Sequence, residues 1–329
     1  MLKGLFAESS PFTQLVMLAF TMLACFLIFT IVGILLTPLI FNVPIGEQIN
    51  IINGEDVARH VNLLRYLQVL QGISLFILPA LVAAYLFSGK ATVYLGFYQP
   101  KSELQNLKPE TRNLKLLTWF GATLLLMLAA IPCINLLAAL NEMFVFPESL
   151  AGLEKLLKNF EESAQQTKEL FLNVDNIGGM FFNIFMIAIL PAIGEELIFR
   201  GLLHKILVRW TGNIHITIIV TGFLFSAMHL QFYGFFPRWL IGVMFGYMLV
   251  WSGTIWLPIF AHFVNNATAV FLYYLIHKGT VSEELETLGT NQGDVTVIIV
   301  ATAVSAAMLW VIYRNRALNL KSKYILPSQ

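Results

Sequence analysis

Between residues 12 and 36 the chain carries no charged side chain, and this is the first of eight long apolar stretches. About 20 apolar residues in a helix cross the ~30 Å hydrocarbon core of a bilayer, where every backbone polar group must be bonded within the segment itself. The stretches cover about residues 12–36, 63–87, 114–140, 177–199, 214–230, 235–250, 254–276 and 295–313. They predict an all-α fold, a polytopic membrane helix bundle with about eight transmembrane helices. Composition agrees, with 57% hydrophobic and 12% charged residues and a mean hydropathy of +0.75. Soluble domains carry about 25% charged residues.

The first stretch is too long for a signal-peptide core and lacks a small-residue cleavage site, so it reads as a retained helix. Cys25 and Cys133 both fall in apolar stretches. Apolar burial disfavours the thiolate, so neither suits a nucleophile, and two cysteines make no disulfide framework. The net charge is +1 and no basic stripe is present, which excludes a nucleic-acid surface. Three regions are expected. Residues 1–176 hold the first three transmembrane helices and an amphipathic connection, 141–176. Residues 177–276 hold helices four to seven, and 277–329 the last helix and a basic tail. In the connection, Leu150, Leu153, Leu157, Phe160 and Ala164 recur at helical spacing. Such a helix can lie on the membrane, cap the bundle or stay solvated.

Eight crossings put both termini on one side. That side collects 13 of the 20 Lys and Arg residues, among them Lys3, Lys101, Arg200, Lys205, Arg209, Arg314, Lys321 and Lys323. Positive loops stay inside, so both termini are expected in the cytoplasm of a multi-pass protein of the cell membrane.

Glu195 and Glu196 are the only acidic residues within the eight stretches. A charge at the bilayer centre costs about 2.5–3.5 kcal/mol on insertion scales and marks a functional site by default. Glu196 and Arg200 are spaced i, i+4 and can pair on one helix face, fixing the helix and neutralising one charge. Glu195 points about 100° away and is left as a base for a water. Three polar residues follow on apolar segments: His229, then His262 and Asn266, four apart and so on one face. A hairpin turning at Gly212 would set Glu195 and His229, each 17 residues from the turn, at equal depth, about 25 Å from its tip. His229 could share the water of Glu195, while His262 and Asn266 could donate to an oxyanion. His204, one turn past Arg200, is expected at the cytoplasmic tip. Phe232, Tyr233, Phe235, Phe236 and Trp239 read as an interfacial aromatic belt.

Glu195-Glu196-x-x-x-Arg200, Phe225-x-x-x-His229 and His262-x-x-x-Asn266 resemble the three motifs of the CPBP intramembrane proteases. That family groups the type 2 CAAX prenyl endopeptidases with bacteriocin-processing and immunity proteins. The resemblance covers about residues 180–270 and implies an eight-helix α-fold and endopeptidase activity. It implies a catalytic Glu195 with His229 as its partner, an oxyanion-stabilising pair, His262 and Asn266, and a supporting pair, Glu196 and Arg200. The implied substrate is a membrane-associated or prenylated peptide or protein, reached from the cytoplasmic side within membrane lipid, with no cofactor. Two alternatives stand beside this reading. Glu195, His229 and His262 offer zinc an N/O ligand set, although no His-Glu-x-x-His helix is present. Intramembrane Glu and His also suit a non-enzymatic transporter or proton relay, or an immunity scaffold.

Overall fold

The computed structural model describes residues 4–54, 56–97 and 108–316, and among them all regular structure is helical. In chain order the elements are α1 (Pro11–Phe41), α2 (Ile45–Ile52), α3 (Val61–Ser88), α4 (Ala91–Leu95), α5 (Pro109–Ala129) and α6 (Ile131–Glu142). There follow α7 (Ala151–Leu172), α8 (Ile177–Thr211), α9 (Ile214–Ala227), α10 (Phe235–Ser252), α11 (Trp256–His277) and α12 (Val295–Arg314). Among the described residues six helices are long and apolar enough to cross a membrane, or seven with α5 and α6 counted as one bent span. The chain is a multi-pass membrane protein.

Two expected crossings differ from the reading above. The stretch 114–140 is a pair of helices bent by 44°, with Pro132 in the first turn of α6, where it gives no N–H to the carbonyl four residues back. The stretch 214–230 forms only the 14-residue α9. At 1.5 Å per residue α9 is about 21 Å long, short of the ~30 Å core. Even parity therefore does not follow from helix lengths. Lys3, Lys101, Lys321 and Lys323, which weigh in the orientation argument, lie outside the described residues, as does most of the basic tail.

Local chemistry sets the helix ends. The Ser10 side chain accepts from the Thr13 N–H at the start of α1, with Pro11 next to it. Gly212 (φ 64°) and Gly253 (φ 68°) end α8 and α10 in the left-handed region that favours glycine. The antiparallel α9 and α10 can pack closely because Gly222 and Gly242 face each other. A Cβ on Gly242 would lie 3.0 Å from the Gly222 Cα, and one on Gly222 would lie 2.9 Å from the Val243 N.

α3 and α8 are not uniform α-helices. π-helical turns occupy Ile73–Ile77 in α3 and both Ile184–Ile189 and Leu197–Leu203 in α8. The first and second of these end two residues before Pro79 and Pro191. A proline has no N–H for the carbonyl four residues earlier, so the helix rearranges there. The Glu195–Glu196 pair thus sits between two π turns.

α11 occupies the centre, packed against α5, α8 and α10. Two apolar cores flank it. One joins α1, α3 and α8 and includes Phe225; the other joins α5, α10, α11 and α12 and includes Phe245. Arg200 lies between them, its guanidinium 4.9 Å from the Phe225 ring centre and 5.5 Å from that of Phe245. α7 keeps Leu153, Leu156 and Phe160 exposed, so its apolar face is turned to its surroundings. Its end is anchored where Arg65 Nη2 and Asn183 Nδ2 donate to the Phe171 carbonyl.

Candidate active site

The first turn of α8 after Pro191 places Glu195 and Glu196 on different faces, and both are buried. Glu196 Oε1 accepts from Arg200 Nη1 at 2.8 Å, the expected i, i+4 pair. Arg200 Nη2 reaches across to the Gly242 carbonyl of α10 at 2.6 Å. Glu196 Oε1 also faces His262 Nδ1 at 3.1 Å. A carboxylate paired with Arg200 can only accept, so the Nδ1 of His262 carries its proton. Glu196 therefore holds the His262 ring as well as Arg200, which pairing along one helix could not foretell. The ring is also stacked on Phe245, 5.4 Å between centres.

His229 is not on a helix. α9 ends at Ala227, and His229 follows in the turn before Leu230, a non-glycine residue at φ 55°. Its Nδ1 lies 2.9 Å from the Phe225 carbonyl, which can only accept, so neutral His229 presents the lone pair of Nε2. That Nε2 and the Nε2 of His262 each lie 3.9 Å from Glu195 Oε2. The distance is too long for a direct hydrogen bond and suits one through water. Glu195 Oε2 has no hydrogen-bond partner among the described residues.

Asn266 is placed by Pro191. The carbonyl four residues before Pro191 belongs to Ile187, and it accepts from Asn266 Nδ2 at 3.1 Å. Asn265 Nδ2 in turn donates to Asn266 Oδ1 at 3.1 Å. These bonds fix the orientation of the Asn266 amide and leave one of its two N–H groups free of them.

Glu195, His229, His262 and Asn266 border one cavity of about 220 Å³, together with Asn265, Arg238 and the apolar Ile134, Phe225, Ile241 and Phe245. At ~30 Å³ per water, that is room for several waters. Ile134 and Asn265 also border a second cavity of about 450 Å³, lined in part by Gln165, Lys168 and Glu169 of α7. The site thus shares two wall residues with a cavity under α7. His204 is fully buried and does not project at that tip. Among the described residues no group of three or more His, Cys, Asp or Glu is arranged as a metal-binding set.

Residues 177–268, the segment that carries all four side chains, match the family model described as type II CAAX prenyl endopeptidase Rce1-like. Over this segment the chain is similar to the Rce1-like family. That family is a family of peptidases. The chain is 33% identical over 130 residues to the sporulation-killing factor biosynthesis protein SkfC of Bacillus subtilis (strain 168), covering 36% of this chain and 26% of SkfC. It is 28% identical over 92 residues to the uncharacterized protein YpbD of the same organism, covering 26% of this chain and 42% of YpbD. The chain thus spans a quarter to less than half of the length of these curated relatives. No solved structure matches it.

Within this Rce1-like segment, sequence reasoning missed Arg238. Its side chain borders the cavity, and Nη2 donates to Gln231 Oε1 at 3.0 Å. The orientation rule takes it as a loop charge. It stands inside the stretch 235–250, and a lone arginine there deserves the same functional suspicion as Glu195.

Proposed function

We propose that this chain is an intramembrane endopeptidase that cuts a membrane-associated or lipidated peptide or protein with a water activated by Glu195. The observation that carries this is Glu195 Oε2: buried, without a hydrogen-bond partner among the described residues, and equidistant at 3.9 Å from two imidazole nitrogens across a cavity. A water between them donates one hydrogen to Glu195 and the other to the Nε2 of His229. Glu195 takes the first proton as the oxygen attacks the carbonyl carbon of the peptide. The oxyanion accepts from the remaining N–H of Asn266 and from His262, whose Nε2 donates only when the ring carries both protons. The proton held by Glu195 then passes to the leaving amine and the C–N bond breaks. Substrate reaches the cavity beneath α7, through the gap between Ile134 and Asn265.

Zinc held by Glu195, His229 and His262 is the second reading, since the two imidazoles turn Nε2 toward Glu195. Purified full-length protein in detergent, mixed with a panel of membrane-proximal peptides with and without chelator, separates the two. Cleavage that survives chelator supports the glutamate mechanism, and cleavage restored only by zinc supports the metal. Transport driven by a proton gradient, with no peptide cut, would replace both with the relay.

A further inference from the structure

We propose that Arg238 is the carboxylate anchor of the cavity: it selects peptides that carry a carboxylate close to the bond to be cut. This rests on the peptidase reading and adds to it a specificity-determining residue.

The polar groups on the cavity wall are Glu195, His229, Arg238, His262, Asn265 and Asn266. Of these, Arg238 is the permanent cation, since guanidinium does not deprotonate in proteins. Among the described residues no carboxylate lies within ion-pair distance of it. Its nearest charges are those of Glu161 and Glu195, both beyond contact. Arg200 sets the contrast: it is fully buried and has Glu196 at 2.8 Å, whereas Arg238 is half-buried at the cavity wall. Arg238 donates only to neutral acceptors, the Gln231 side-chain oxygen at 3.0 Å and, weakly, the Gln231 carbonyl at 3.5 Å. A guanidinium has five donors in a planar fork matched to a carboxylate, so most of its bonding capacity is unspent on the protein.

The group is also held in place. Gln231 Nε2 donates to Glu161 Oε1 of α7 at 3.2 Å, which fixes the amide that fixes Arg238. Gly234 leaves the space the guanidinium occupies, because a Cβ there would lie 2.9 Å from Arg238 Nη2. A cation positioned by a neutral amide beside a catalytic carboxylate is a receptor for a second negative group. It offsets the repulsion Glu195 would otherwise exert on an acidic ligand. The ligand carboxylate can be the free C-terminus of a short leaving peptide or an Asp or Glu side chain next to the cut.

The test is binding, so that it does not depend on turnover. Full-length Glu195→Gln protein is titrated with membrane-proximal peptides in four matched forms: free C-terminal acid, C-terminal amide, internal Asp and internal Asn. The expected result is tighter binding of one acidic form than of its neutral match, by about 10- to 100-fold. That preference is lost in the additional Arg238→Gln variant and partly kept in Arg238→Lys, which retains charge without the fork. The terminal pair and the Asp/Asn pair tell the two sources of the carboxylate apart. Equal binding of acidic and neutral forms would overturn the proposal, as would a preference that persists in Arg238→Gln. If Arg238→Gln fails to fold, Arg238→Lys takes its place: a reduced acidic preference supports the proposal, and one unchanged from the parent overturns it. The peptidase reading fails separately, by absence of cleavage in wild-type protein whatever the binding preference.

Discussion

At the scale of single residues, Glu196 does two jobs through one oxygen. Oε1 meets Arg200 at 2.8 Å and His262 at 3.1 Å. Arg200 is 1% exposed and Glu196 is fully buried, so removing either charge strands the other. Breaking a buried pair on one side costs about 3–5 kcal/mol. Arg200→Ala should therefore lower the thermal midpoint sharply. Glu196→Gln should lower it as well and, in the fraction that folds, should lower kcat through the freed His262 ring. Thermal scans and turnover on the same preparations check both, and a stable, fully active Glu196→Gln would refute the double role. The i, i+4 spacing made the Arg200 contact legible in the sequence. The His262 contact was not, because it depends on where α11 crosses α8, and no local spacing encodes that.

At the scale of elements, the departures from regular α-helix do the positioning. Pro191 has no N–H for the Ile187 carbonyl, and Asn266 Nδ2 takes its place at 3.1 Å. Pro191→Ala returns that donor to the helix and frees the Asn266 amide to turn. The expected outcome is near-unchanged stability with kcat reduced about 10- to 100-fold, within the range for loss of an oxyanion donor. An unaltered kcat would show that Asn266 is not placed by the proline. The helices themselves were readable from hydropathy, and the turns at Gly212 and Gly253 from their glycines. The shortness of α9 was not. Its apolar pattern runs on through Met228, but the chain leaves the helix at Ala227 to put His229 in a turn. Hydropathy sees the apolar run and not the break. The π turns were hidden too, although the prolines at 79 and 191 mark where carbonyls go unpaired.

At the scale of the whole molecule, two apolar cores are held apart by a polar seam of Glu195, Glu196, Arg200 and His262, and the cavity lies along that seam. One control on global stability lies outside the seam. In α4, burial pushes the Tyr94 phenol up to about 12. A group whose folded value is raised adds stability that is complete below its ordinary value of 10.0 and is lost as pH rises toward the folded one. The protein should hold its thermal midpoint up to about pH 10 and lose part of it between 10 and 12, and Tyr94→Phe should flatten that loss. An equal alkaline loss in Tyr94→Phe would assign it elsewhere. Four of the cavity's polar residues were legible because ionisable and amide groups are rare in apolar stretches. Arg238 had the same mark, whereas the second cavity under α7 depends on where that helix packs, which no local spacing encodes.

The most direct measurement is turnover of a membrane-proximal peptide by purified wild-type and Glu195→Gln protein, with folding of both checked by thermal scan. Loss of the base should cut kcat by about 10²- to 10⁴-fold while the thermal midpoint is kept or rises. Cleavage by Glu195→Gln at the wild-type rate would contradict a water activated by this carboxylate.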